Sequence, residues 1–201
     1  SSSGCKDDCS TGSYITSDRS ACLVCEKGRH QDQTGQSSCK DCPKGRYTAQ
    51  TEQTQCVSCK DGQYQNLERQ TLCKDDCSAG SFITTDKSAC SLCYQGKWQD
   101  LEDQLSCKDS EAGTFTDQQG QIASTDCKTG TYNDENGQTL CKVCKAETYN
   151  EKTKSIAVSE CKTCSRGKES TAGQKECTPI NKNPMCENTG GMSPNNMDFC
   201  L

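Results

Sequence analysis

This chain has one histidine, four prolines and ten aromatic residues in 201. A single His leaves no Ser/His/Asp or Cys/His constellation to assemble, so the usual nucleophilic enzymes are excluded and no enzymatic role is expected. No apolar run approaches the ~20 residues that span a bilayer. There is no basic block, and the net charge is −5 with an isoelectric point near 5.0, so nucleic acid is not an expected partner. No Asn-x-Ser/Thr sequon occurs. Ser and Thr are numerous enough to carry O-glycans. Apolar side chains are scarce too: without Cys, only about a fifth of the residues can build a core, and the mean hydropathy is −0.93. A chain this polar drifts toward disorder unless it is cross-linked.

What is present is cysteine, 21 residues, about a tenth of the chain. At that level a chain reads as a disulfide scaffold from an oxidising compartment, outside the cell or on its surface. The start, Ser1-Ser2-Ser3-Gly4 without Met, reads as processed or trimmed.

The cysteines are periodic. Units open at Cys9, Cys25, Cys42, Cys59, Cys77, Cys93, Ser110, Cys127, Cys144 and Cys164, in steps of 16 to 20 residues. Three positions on stands Gly, with Glu147 the one departure. Five positions on stands an aromatic, from Tyr14 to Tyr149, with His30 in one unit and Glu169 in the last. Eight of the ten aromatics fall in this slot, so the slot is structural, and His30 reads as a substitute for Tyr. A second period of 68 residues lies on top: Cys5-Lys6-Asp7-Asp8-Cys9 recurs as Cys73-Lys74-Asp75-Asp76-Cys77, and Ser20-Ala21-Cys22 as Ser88-Ala89-Cys90. Self-similarity at fixed period marks a repeat array whose units lean on their neighbours.

The expected fold is therefore small, disulfide-rich and mostly β or irregular: an elongated rod of tandem ~17-residue single-disulfide β-hairpin modules. Units 1–4 span 9–72, units 5–8 span 73–140, units 9 and 10 span 141–177, and 178–201 reads as a divergent cap. Residues 1–8 form an N-terminal end that holds Cys5. Gly after the Cys turn permits positive φ or close backbone approach. Polar tips such as Asp32-Gln33-Thr34-Gly35, Asp117-Gln118-Gln119-Gly120 and Asn136-Gly137 read as hairpin turns, the last most strongly.

Spacing alone does not fix connectivity, but the duplication supplies an internal control. The slots of Cys42 and Cys56, shifted by 68, hold Ser110 and Ser124, while Cys107 and Cys127 remain. Two partners of one bridge lost together is the economical reading, since losing one alone leaves a reactive thiol. Each unit then closes on itself: Cys9–Cys22, Cys25–Cys39, Cys42–Cys56, Cys59–Cys73, Cys77–Cys90, Cys93–Cys107, Cys127–Cys141, Cys144–Cys161, Cys164–Cys177 and Cys186–Cys200. Cys5 is left as the closing residue of a unit whose opening half is missing, a candidate for an intermolecular bridge. Zinc is the rival, because Cys22-x-x-Cys25 and five similar pairs have near-ribbon spacing. That reading strands Cys177, Cys186 and Cys200, and no metal or other cofactor is assigned. The Cys-x-x-Cys pairs lack the βαβ surroundings of a thiol redox motif. Asp134-Glu135-Asn136-Gly137 lacks the ligand pattern of a Ca²⁺ loop and reads as a polar tip.

The unit Cys42-Pro43-Lys44-Gly45-Arg46-Tyr47…Cys56 resembles the single-disulfide opening module of tumour-necrosis-factor-receptor-type repeats, and equally the repeats of ephrin-receptor-type cysteine-rich segments. The resemblance covers roughly 5–177. It implies a disulfide-laddered rod outside the cell, an arrangement used by receptors, secreted matrix proteins and protist surface proteins alike. In tumour-necrosis-factor receptors a module with two crossed bridges follows the first. Here the single-bridge unit simply repeats, so cytokine binding is not carried over.

Two functions follow. The first is a structural subunit of an extracellular filament or cell-surface coat, self-associating end to end; unlike ends that meet head to tail generate an open filament. The alternative is a ligand-binding receptor-type ectodomain or secreted binding module, for which Tyr94 and Trp98 are the candidate contact residues, as aromatics anchor interfaces, with ring-on-disulfide packing the favoured reading for Trp98. The expected partners are other copies of the chain or other extracellular proteins.

Overall fold

The computed structural model describes residues 8–180. Cys5, Cys186 and Cys200 lie outside the described residues. Nine two-stranded antiparallel hairpins follow one another along the chain: β1 (Ser13–Ile15) with β2 (Cys22–Val24), β3 (Arg29–His30) with β4 (Lys40–Asp41), β5 (Arg46–Tyr47) with β6 (Val57–Ser58), β7 (Ser81–Ile83) with β8 (Cys90–Leu92), β9 (Lys97–Trp98) with β10 (Lys108–Asp109), β11 (Thr114–Phe115) with β12 (Thr125–Asp126), β13 (Thr131–Tyr132) with β14 (Lys142–Val143), β15 (Thr148–Tyr149) with β16 (Lys162–Thr163), and β17 (Lys168–Glu169) with β18 (Thr178–Pro179). The fourth unit keeps a single bridge pair, Tyr64 with Lys74. Among the described residues the helical content is one 3₁₀ turn, Val158–Glu160, in the unit with the longest loop.

Nine disulfides close the units: Cys9–Cys22, Cys25–Cys39, Cys42–Cys56, Cys59–Cys73, Cys77–Cys90, Cys93–Cys107, Cys127–Cys141, Cys144–Cys161 and Cys164–Cys177. The tips are not two-residue turns. Between Tyr132 and Lys142, for instance, nine residues intervene, and the Asn136-Gly137 pair serves the neighbouring unit: Asn136 Oδ1 accepts from the Ala112 amide at 2.9 Å and the Gly137 amide donates to the Ser110 carbonyl at 2.7 Å.

Those bonds belong to a ladder that runs the length of the stack. The Gly12 amide donates to the Gln31 carbonyl, the Cys25 amide to the Gly12 carbonyl, and the Gly35 amide back to the Cys9 carbonyl, at 2.7–2.8 Å; the same three contacts recur through unit 9 except in unit 4, where the Cys77 amide donates to Asp103 and the Lys87 ammonium to the Cys59 carbonyl. Each unit also meets the unit after next. The tip of unit 3 lies against Gly12 of unit 1, where a Cβ would come within 2.4 Å of the Glu52 carbonyl oxygen, and Arg69 in unit 4 pairs with Glu26 in unit 2 at 2.9 Å. The architecture is a one-dimensional stack in which backbone hydrogen bonds between units do the work a sheet does elsewhere.

The core is made of cystines and amides. Opening cysteines such as Cys25, Cys42, Cys93 and Cys127 are fully buried. The residue after the aromatic is buried as well and mostly polar: Gln31, Thr48, Gln65, Gln99, Thr116, Asn133, Asn150 and Ser170. Gln65 shows why a polar group is tolerated there. Its Nε2 donates to the Leu72 carbonyl at 2.8 Å and its Oε1 accepts from the Leu67 amide at 3.0 Å, so it braces its own loop and leaves no unpaired polar atom. The apolar cluster is confined to the junction of the two 68-residue blocks: Tyr64, Cys77 and Ile83, with Cys90 against them. There the Tyr64 hydroxyl donates to Asp76 at 2.8 Å, which raises the phenol's pKa, and Lys87 reaches across to the Cys59 carbonyl at 2.7 Å and Asp61 at 2.8 Å.

Candidate binding surface

Tyr94 and Trp98 share the Cys93–Cys107 unit but have different surroundings. Trp98, on β9, is partly buried; its ring lies 4.8 Å from the Lys108 ammonium, and the indole N–H has no hydrogen-bond partner. It packs as part of the stack. Tyr94 is 62 % exposed. It lines a hollow of about 280 Å³ between units 5 and 6 with Phe82, Lys97, Leu105, Ser106 and Cys107. Leu92, Leu101 and Leu105 are also about half exposed, as are aliphatic side chains in the other units, but Tyr94 adds an exposed aromatic ring to them.

Short ion pairs recur along the array: Lys40 with Asp32 at 2.6 Å, Lys108 with Asp100 and Lys142 with Asp134 at 2.5 Å, and Lys162 with Glu151. In each pair the lysine follows the closing Cys and holds the carboxyl below its usual range through the hydrogen bond. Asp134 and Glu135 both face Lys142, which occupies the carboxylates that a Ca²⁺ loop would need. The Cys-x-x-Cys pairs are divided between consecutive bridges, Cys22 with Cys9 and Cys25 with Cys39, so the thiolates a zinc site requires are consumed.

His30 sits on β3 with Nδ1 3.2 Å from Cys56 Sγ, and its ring nitrogen and the sulfurs of Cys42 and Cys56 lie within 4.8 Å of one another. The sequence places His30 in an aromatic slot, and nothing in that slot signals its contact with the bridge of the next unit.

Residues 12–54, which run from Gly12 of the first unit through the whole second unit to just before Cys56 of the third, match the family described as tyrosine-protein kinase ephrin type A/B receptor-like. The match covers about a fifth of the chain; the chain is a cysteine-rich repeat array that is similar, over that stretch, to the ephrin-receptor-like module. No curated protein matches it. The matched family is a receptor-like cysteine-rich module and not an enzyme family. Together with nine disulfides it points the array to an extracellular or secreted setting and to binding of a receptor type. No helix among the described residues is long and apolar enough to cross a membrane.

Proposed function

We propose that the array is an extracellular protein-binding module whose stacked units hold the Tyr94 hollow rigidly toward another extracellular protein. The supporting observation is the hollow itself: an exposed aromatic ring beside Phe82 and Leu105, rimmed by Lys97, where the large apolar side chains exposed elsewhere among the described residues are aliphatic. Aromatic anchors in a shallow apolar recess are the usual centre of a protein interface. The test compares wild type with Tyr94→Ala against a panel of secreted and cell-surface ectodomains by surface plasmon resonance. Tyr94 is exposed, so the variant keeps its stability within about 0.5 kcal/mol. A partner whose affinity falls by tenfold or more in the variant supports the proposal, and partners that bind both proteins equally refute it.

A second reading, self-association into a filament or coat, has its own observation. In units 1 to 8 the Gly slot faces the tip of the unit after next, except that the fit at Gly62 is loose; Gly167, in unit 10, has nothing within 4 Å of the place a Cβ would take among the described residues. In units 9 and 10, Ala146, Glu147, Ser170 and Ala172 line an open hollow of about 420 Å³. A second copy docking its first tips there would continue the stack. Sedimentation velocity and electron microscopy of purified full chain decide it: fibres or concentration-dependent oligomers favour this reading, and a monomer at high concentration removes it.

A further inference from the structure

We propose that Cys42–Cys56 is a thiol-exchange site, opened selectively by small thiols of the glutathione class and stabilised in its open form by His30. Two independent observations carry this. The first is the contact: the chain's only imidazole lies 3.2 Å from Cys56 Sγ, with both sulfurs of the bridge within 4.8 Å. An imidazole N–H beside a sulfur stabilises the thiolate and makes it a better leaving group. The second is the duplicate of this unit. Shifted by 68 residues, Cys42 and Cys56 become Ser110 and Ser124, and that unit is folded without a bridge. Strands β11 and β12 pair in the usual register, Ser110 is fully buried with its Oγ 3.0 Å from Thr116 Oγ1, and its backbone keeps the bonds to Gly96 and Gly137. This position in the block therefore stays folded without a disulfide, and opening its counterpart leaves the stack in place.

The exchange balances with two external thiols. One thiolate attacks Cys56 Sγ, the less buried of the two, and Cys42 leaves as a thiolate. A second thiolate attacks the reagent's sulfur in the mixed disulfide. Cys56 then leaves as a thiolate against the His30 ring. The external pair departs as its disulfide, and two electrons have passed to the protein. Access to sulfur governs the rate, whereas stabilisation of the product governs the equilibrium, so the test is made at equilibrium.

The oxidised full chain is equilibrated in glutathione buffers of increasing reduced fraction, trapped with N-ethylmaleimide and mapped by peptide mass spectrometry. Expected: Cys42 and Cys56 become alkylated in buffers about tenfold less reducing than those that open any of the other eight bridges between described residues, one decade being one unit of thiol acidity. In His30→Phe, which refills the slot with an aromatic ring, the lead disappears and the other eight are unmoved. A bridge that opens together with the others, a lead that survives in His30→Phe, or a variant that shifts all nine alike overturns the proposal. Cys42→Ser/Cys56→Ser provides the second arm. It forms the remaining eight bridges and keeps the wild-type circular dichroism; failure to do so means that opening is not local and also overturns it.

Discussion

At the level of single residues, the repeat's Gly carries a double constraint. Gly130 has φ +77°, and a Cβ there would sit 1.9 Å from the Gly173 carbonyl oxygen of the unit after next. Gly167 has φ +82° but open space around it. Alanine at either position bears the left-handed backbone cost, about 1–2 kcal/mol; only at Gly130 does it also overpack, about 1–3 kcal/mol more. Chemical denaturation should therefore rank Gly130→Ala well below Gly167→Ala, and equal losses would mean that the contact across two units is not what the Gly serves. The Gly slot was legible in the sequence, with both of its reasons. The buried amide slot was not, because Gln31, Gln65 and Gln99 have the chemistry of solvent-facing side chains until the loop carbonyls that they bond are placed around them. At the opposite extreme, Asp18 is exposed, yet the Thr16 hydroxyl and then the hydroxyl and amide of Ser20 hold its carboxyl at about 2. A carboxyl depressed in the folded state contributes stability above its ordinary value of 3.8, and that contribution is lost as pH falls through about 2. A carbon-detected NMR titration should place the Asp18 midpoint near 2 in the wild type and closer to 3.8 in Ser20→Ala.

The hairpin is the element that repeats, and its strands of two or three residues are too short to stand alone. Each hairpin except β11–β12 is fixed by a disulfide within the unit, and all are held by backbone bonds to neighbouring units. Ser110 and Ser124 separate these two contributions, since their hairpin keeps its register with the neighbours' bonds alone. Restoring the bridge adds the first contribution back. Ser110→Cys/Ser124→Cys closes a 15-residue loop and should raise stability by up to about 3 kcal/mol in the chain-entropy model. A melt and a peptide map that shows the new bridge check this, and a bridged variant no more stable than wild type would place the stabilisation in the stacking bonds. The strand pairs and their order could be read from the Cys, Gly and aromatic spacing. The turn type could not. Asn136-Gly137 has the composition of a tight hairpin, but stacking demands a long tip, and the pair is recruited to bond unit 7.

For the molecule as a whole, the period revealed an array but not its pitch. That each unit touches the next two follows from Gly12 meeting Glu52 and Glu26 meeting Arg69, contacts some forty residues apart that no local pattern encodes. The candidate surface was legible only in part: Tyr94 stands out as an aromatic outside the slot and proves exposed, whereas Trp98 is drawn into the stack by Lys108. A stack built this way has almost no reserve of apolar burial. Among the described residues its one apolar cluster is Tyr64, Cys77 and Ile83. Each bridge closes a loop of about 15 residues, worth about 3 kcal/mol, while an ordinary domain is stable by only ~5–15 kcal/mol in total. Loss of one bridge is survivable, as unit 7 shows, but loss of several exceeds what the ladder and one small cluster can supply. Complete reduction and alkylation should therefore abolish the native circular dichroism and the slow-exchanging amides of the ladder, including those of Gly35, Glu52 and Arg69 that bond the opening-cysteine carbonyls. Protection that persisted in the fully alkylated chain would mean that the inter-unit hydrogen bonds hold the stack by themselves, and the cystines would then be reinforcement.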